Sequence, residues 1–96
     1  MKINFSKTND TLNVALDGRL DTITAPELEG FFEDNYDGNA AIVIDCEKLA
    51  YVSSAGLRVL LSTHKKSKGS MKLVNVCELI MEVFDITGFA DILVIE

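Results

Sequence analysis

Leu12, Val14 and Leu16 alternate with Thr11, Asn13 and Ala15, the period-two pattern of a strand with one buried face. A second strand-like run, Lys2 to Ser6 (KINFS), precedes it, and the polar KTND between the two predicts a hairpin. Gly18-Arg19-Leu20-Asp21 closes the second strand, and the period then changes. Thr24-Ala25-Pro26-Glu27 carries the residues of a helix start, with threonine as N-cap, proline in the first turn and glutamate completing a capping box. Leu28, Phe31 and Phe32 form the apolar side of that helix, Glu29, Glu33 and Asp34 the polar side, and Asn35 to Asn39, with Gly38, closes it.

Ala40 to Cys46 is apolar except for Asp45 and shows no alternation, which predicts a central strand covered on both faces, parallel to its neighbours and followed by a polar turn. A helix begins at Ser53/Ser54 and runs to about Lys68, with Gly69 placed to end it. Val59, Leu60 and Thr63 face the sheet; Leu57 and Leu61 fall on a neighbouring face, where wider core packing or a partner surface would account for them. Met71 to Val76 reads as a fourth strand. Glu78 to Thr87 reads as an amphipathic helix with Leu79, Ile80, Val83 and Phe84 inward and Glu78, Glu82 and Asp85 outward. Gly88 stops it, Phe89 supplies the apolar contact that often follows such a glycine, and Ile92 to Ile95 reads as a last buried strand. A hairpin followed by alternating helices and strands predicts one α/β domain over residues 1–96, with a mixed sheet, right-handed crossovers, and helices packed on the sheet.

Composition narrows the function. A chain of 96 residues, 48% hydrophobic and 25% charged, suits a single soluble globular domain. Its net charge of −6 argues against nucleic acid as a partner, because Lys and Arg supply most of that affinity. No apolar run approaches the roughly 18–20 residues of a membrane span, and no apolar h-region follows Met1-Lys2, so a cytoplasmic protein is expected. Cys46 and Cys77 form neither a CxxC pair nor a zinc knuckle and read as two small buried hydrophobes.

No catalytic arrangement emerges from the spacing. Ser54 and the only histidine, His64, stand ten residues apart on one helix, roughly 15 Å, and no G-x-S-x-G elbow is present. The phosphate-cradling loops G-x-G-x-x-G and G-x-x-x-x-G-K-[ST] are also absent. Glu78 and Glu82 lack a His or Cys beside them and read as a solvated face rather than a metal site. Lys65, Lys66, Lys68 and Lys72 suit the negative end of a helix dipole. No metal and no cofactor are expected. There remains Ser53-Ser54-Ala55-Gly56 at a helix start, where a serine is either a cap for free N–H groups or an acceptor of charge. Phosphorylation of Ser54 would add a charge of about −1.5 to −2 and three acceptor oxygens there.

Gly18-x-Leu20-Asp21 after the second strand, the block AIVIDCEKLAYVSSAGLRVLL, and the later KLVNV and VFDITGF segments follow one another in a familiar order. On these residues the chain resembles, over essentially its full length, a STAS domain of the anti-sigma factor antagonist family. The resemblance implies a non-enzymatic protein that binds an anti-sigma factor which is also a serine kinase, so releasing the sigma factor. It implies that phosphorylation breaks this binding and that a PP2C-type phosphatase restores it. Aligned on the glycine and leucine of the motif, the phosphorylated position is Ser54. Ser53 stands where many members have aspartate, so any help from that carboxylate is missing. Asp21 matches a family aspartate near the serine, and Ser53, Ser54, Ala55, Gly56, Leu57 and Leu61 fall on the implied partner-binding surface. The alternative within the same family is a STAS subunit docked constitutively on a transporter or sensory complex, with no phosphorylation.

Overall fold

The computed structural model describes all residues, Met1–Glu96. Its elements are β1 (Lys2–Thr8), β2 (Thr11–Leu20), α1 (Ala25–Asn35), β3 (Ala41–Val52), α2 (Ser54–Lys66), β4 (Met71–Val74), α3 (Glu78–Thr87), a 3-10 turn (Phe89–Asp91) and β5 (Val94–Ile95). The strands lie in one sheet in the order β1-β2-β3-β4-β5. The hairpin pair β1/β2 is antiparallel and the other three pairs are parallel, the mixed α/β sheet that the alternation of elements predicts.

One face of the sheet is covered. Leu12, Val14 and Leu16 of β2, Ile42, Ile44 and Cys46 of β3, and Met71 and Leu73 of β4 are buried in alternation. Leu28 and Phe32 of α1, Val59, Leu60 and Thr63 of α2, and Ile80 and Phe84 of α3 are buried with them. The intervening residues Asn13, Ala15, Val43, Asp45 and Val74 stay half-exposed. The expectation that β3 is covered on both faces is therefore corrected. Apart from Asp45, its outward positions in this stretch, Ala41 and Val43, are small or β-branched apolar residues, which hide the alternation from composition without being buried.

β3 also runs further than expected. The polar turn expected after Cys46 is strand up to Val52, and the register against β2 slips twice, between Ala15/Asp17 and Gly18/Arg19. Each slip places one extra residue in β3, a bulge that resets the side-chain phase. Cys46, Leu49 and Val52 consequently reach the core at intervals of three, a spacing that does not read as a strand. Gly18, at φ +117°, sits between the slips in a conformation that favours glycine.

Other corrections are local. In α3, Leu79 is 62% exposed rather than inward. The strand Met71 to Val76 stops at Val74, because Asn75 turns the chain with φ +57°. The last strand keeps only Val94–Ile95, and Ile92 and Val94 are exposed, so it is a short edge rather than a buried element. Cys46 is buried and its thiol is pushed up to about 12, by burial first and then by Asp45 and Cys77. Cys77 is exposed at the N-cap of α3, contrary to the reading of both cysteines as buried.

Candidate functional site

β2 and β3 end side by side. Leu20 pairs with Val52, and the Ser53 N–H donates to the Leu20 carbonyl at 2.9 Å. Beyond that bond the two segments diverge: β2 leads into the loop that opens α1, and β3 leads directly into α2. The carboxyl ends of neighbouring parallel strands are where α/β sheets most often place their functional groups. Here they bring Asp21 and Ser54 to one edge of the molecule.

The two serines divide their work. Ser53 is the N-cap of α2: its backbone is extended (φ −99°, ψ 175°) and its Oγ accepts the Gly56 N–H at 3.3 Å. Ser54 is the first helical residue, exposed, with its hydroxyl left to solvent. The choice between cap and charge acceptor, open from sequence, is thus resolved on the capping side in favour of Ser53.

Gly56 is buried because α2 starts hard against the end of β2. A Cβ at this position would lie 2.7 Å from Leu20 Cγ and 2.9 Å from the Leu20 carbonyl oxygen. The glycine of the SSAG tetrad therefore sets how closely Ser54 approaches the Asp21 loop. Ala55 is half-buried. Leu57 is 5% exposed and belongs to the core, so wider core packing accounts for it and a surface role is corrected. Leu61 is half-buried beside a shallow hollow between α1 and α2 that Glu29, Arg58 and Lys65 also line.

Asp21 organises its loop. Its Oδ1 accepts the N–H groups of Ile23 at 3.0 Å and Thr24 at 3.1 Å. The Asp21 N–H donates to Thr24 Oγ1 at 2.8 Å, and that hydroxyl donates to the Arg19 carbonyl at 2.6 Å. The Ala25 N–H closes onto the Asp21 carbonyl at 2.8 Å. The capping box expected from Thr24 and Glu27 does not form, since Thr24 is already in helical conformation (φ −91°, ψ −18°) and makes no side-chain cap bond. Asp21 acts as the cap instead, a turn earlier: its Oδ1 takes both N–H groups, whereas Thr24 Oγ1 already accepts the Asp21 N–H.

These bonds hold the Asp21 carboxyl below its ordinary 3.8: the Thr24 N–H contributes most, then the Ile23 N–H, the Thr24 hydroxyl and the Arg19 charge, against opposing desolvation. A lowered native pKa contributes stability that is present above the unfolded value and lost as pH falls through the native one. The melting temperature of the wild type should therefore fall more steeply than that of Asp21→Asn between about pH 5 and pH 2, the two curves converging in acid. Parallel curves would show that these bonds do not favour the ionised form.

Three residues around the site escaped the sequence reading. Ile23 is 81% exposed next to Asp21, an isolated apolar residue in a polar loop, which is a signal that the sequence did carry. Arg19 and Tyr51 pair across β2 and β3, with the guanidinium carbon 4.2 Å from the ring centroid and Arg19 Nε 3.7 Å from Asp21 Oδ2. Their pairing depends on the register slips and is invisible without them. Ser54 and His64 lie towards opposite ends of α2, and no group of three or more His, Cys, Asp or Glu is placed to hold a metal ion.

The fold and the site define a single α/β module that presents a serine at the start of a helix, flanked by an ionised aspartate and an exposed isoleucine. The STAS domain family model matches residues 2–96, and the chain belongs to the STAS domain family. It is 35% identical to BtrV of Bordetella bronchiseptica, provisionally named an anti-sigma factor antagonist, over 96% of this chain and 83% of that one. It is 31% identical to the anti-sigma-B factor antagonist of Bacillus subtilis, over 97% of this chain and 88% of that one. The fold matches the solved structure of the Bacillus cell fate determinant SpoIIAA in its phosphorylated form with a TM-score of 0.73 at 18% identity, covering 99% of this chain and 91% of that one.

Proposed function

We propose that this chain is a cytoplasmic anti-sigma factor antagonist whose binding is switched at Ser54. Unphosphorylated, it binds an anti-sigma factor that is also a serine kinase and so frees a sigma factor. Phosphate on Ser54 abolishes that binding, and a PP2C-type phosphatase restores it. The observation that carries the reading is the division of labour at α2, where Ser53 caps the helix and Ser54 stays exposed beside the Asp21 loop. A hydroxyl with no structural duty can accept phosphate without loss of the cap. The names of the relatives and the phosphorylated state of SpoIIAA support the same reading.

The binding surface consists of Asp21 and Ile23 on one loop, Ser54 at the helix start, and Leu61 with Arg58 further along α2. The test is a paired capture with Ser54→Ala and Ser54→Asp as baits. A kinase-type ATPase retained by the alanine form and not by the aspartate form is the expected outcome. The same proteins held equally by both baits would make the chain a constitutive docking subunit and end the switch.

A further inference from the structure

α3 is apolar on two sides. Ile80 and Phe84, at 1% and 0% exposure, fasten it to the sheet. On the other side Leu79 is 62% and Ile86 85% exposed, with half-buried Val83 between them. The spacing i, i+4, i+7 sets these three in one stripe. Single exposed apolar residues are ordinary, but two large ones aligned along a ten-residue helix form a surface.

The charge around the stripe has one sign. From Leu73 to Glu96 every charged side chain is acidic: Glu78, Glu82, Asp85, Asp91 and Glu96. Only Glu96 has a cation within ion-pair distance, Lys72 at 3.4 Å. Glu78, Glu82 and Asp85 flank the stripe exposed and unpaired. This charge selects the occupant. A second copy laid α3 against α3 would set these carboxylates against their own kind. An anionic lipid surface would repel them, since peripheral helices bind such surfaces through Lys and Arg.

We propose that Leu79, Val83 and Ile86 form a docking stripe for a basic amphipathic helix of a partner protein, whose Lys or Arg residues meet Glu78, Glu82 and Asp85. This surface is separate from the one at Ser54. β4, which leads into α3, ends opposite Asp45, whereas β3 continues to Val52 before Ser54 is reached. Phosphorylation at Ser54 leaves the stripe available.

The test uses the full chain, isotope-labelled for amide NMR, and two synthetic helical peptides with the same leucine stripe, one flanked by lysine and one by glutamate. The lysine peptide is expected to shift the amides of Glu78–Thr87 and to bind more weakly as salt rises. The glutamate peptide is expected not to bind. Leu79→Ser with Ile86→Ser should weaken the lysine peptide about tenfold or more while preserving the spectrum elsewhere, because both side chains are exposed. Glu82→Lys, which leaves the apolar stripe intact, should weaken it severalfold. Equal binding by the variants, shifts mapping to other acidic surfaces, or equal binding of the glutamate peptide would overturn the proposal. Concentration-dependent shifts of α3 without peptide would assign the stripe to a second copy and overturn it equally.

Discussion

Gly56→Ala lowers the stability of the domain by about 1–3 kcal/mol, although alanine is the better helix former. The added methyl would sit 2.7 Å from Leu20 Cγ, 3.1 Å from Leu20 Cδ2 and 2.9 Å from the Leu20 carbonyl oxygen. A side-chain carbon could swing away. The carbonyl cannot, because it accepts the Ser53 N–H that joins the ends of β2 and β3. α2 must therefore lift from β2, losing that bond or the packing of Leu20, which is fully buried. Helix propensity pulls the other way by about 1 kcal/mol, so the sign of the result decides between the two effects. Gly30→Ala is the matched control: it lies in α1, where a Cβ meets nothing within 4 Å, and it should stabilise by a few tenths to about 1 kcal/mol. Thermal unfolding separates them readily, since a domain of this size shifts by roughly 4–8 °C per kcal/mol. Stabilisation by Gly56→Ala would show that the close approach is not needed.

Much of the fold is legible in the residues because the elements that carry it are locally consistent. The alternation in β2, the proline and apolar side of α1, and the glycines after α2 and α3 each specify their element without reference to the rest. The SSAG tetrad is legible for the same reason, as helix-start chemistry, whereas Asp21 is legible only through the resemblance to the family, since a strand-end aspartate does not by itself declare a site. The second half of β3 is not. Its two bulges move Leu49 and Val52 to a period of three, and with them goes the pairing of Arg19 with Tyr51. Leu57 and Leu79 exchange places for a related reason. A helix with apolar residues on more than one face does not declare which face is buried, and only the position of the sheet decides it. Capping is the third case. Serine, threonine and aspartate are all good caps, and which one acts depends on which hydroxyl or carboxylate is already engaged.

On the function proposed, phosphate on Ser54 is expected to weaken the complex with an anti-sigma factor kinase by about 100-fold or more. Two effects act together. The dianion would stand at the centre of a surface that must lose water on binding, and an unpaired buried charge costs several kcal/mol, where about 1.4 kcal/mol is already tenfold in affinity. The Asp21 carboxyl on the neighbouring strand end is held ionised by the Thr24 and Ile23 amides, so the added charge meets one of its own sign. Neither effect requires refolding. The free helix N–H groups at the start of α2 can receive the phosphate oxygens, so the modified chain should be at least as stable as the unmodified one.

The measurement that tests this most directly is calorimetric titration of the purified kinase partner with the full chain, unmodified and phosphorylated on Ser54, with the melting temperature of each form recorded in the same buffer. Loss of binding by about 100-fold or more on phosphorylation, with the melting temperature unchanged or raised, is the predicted result. Equal affinity of the two forms would contradict the account, and lost binding with a lowered melting temperature would contradict the claim that the switch acts at the surface alone.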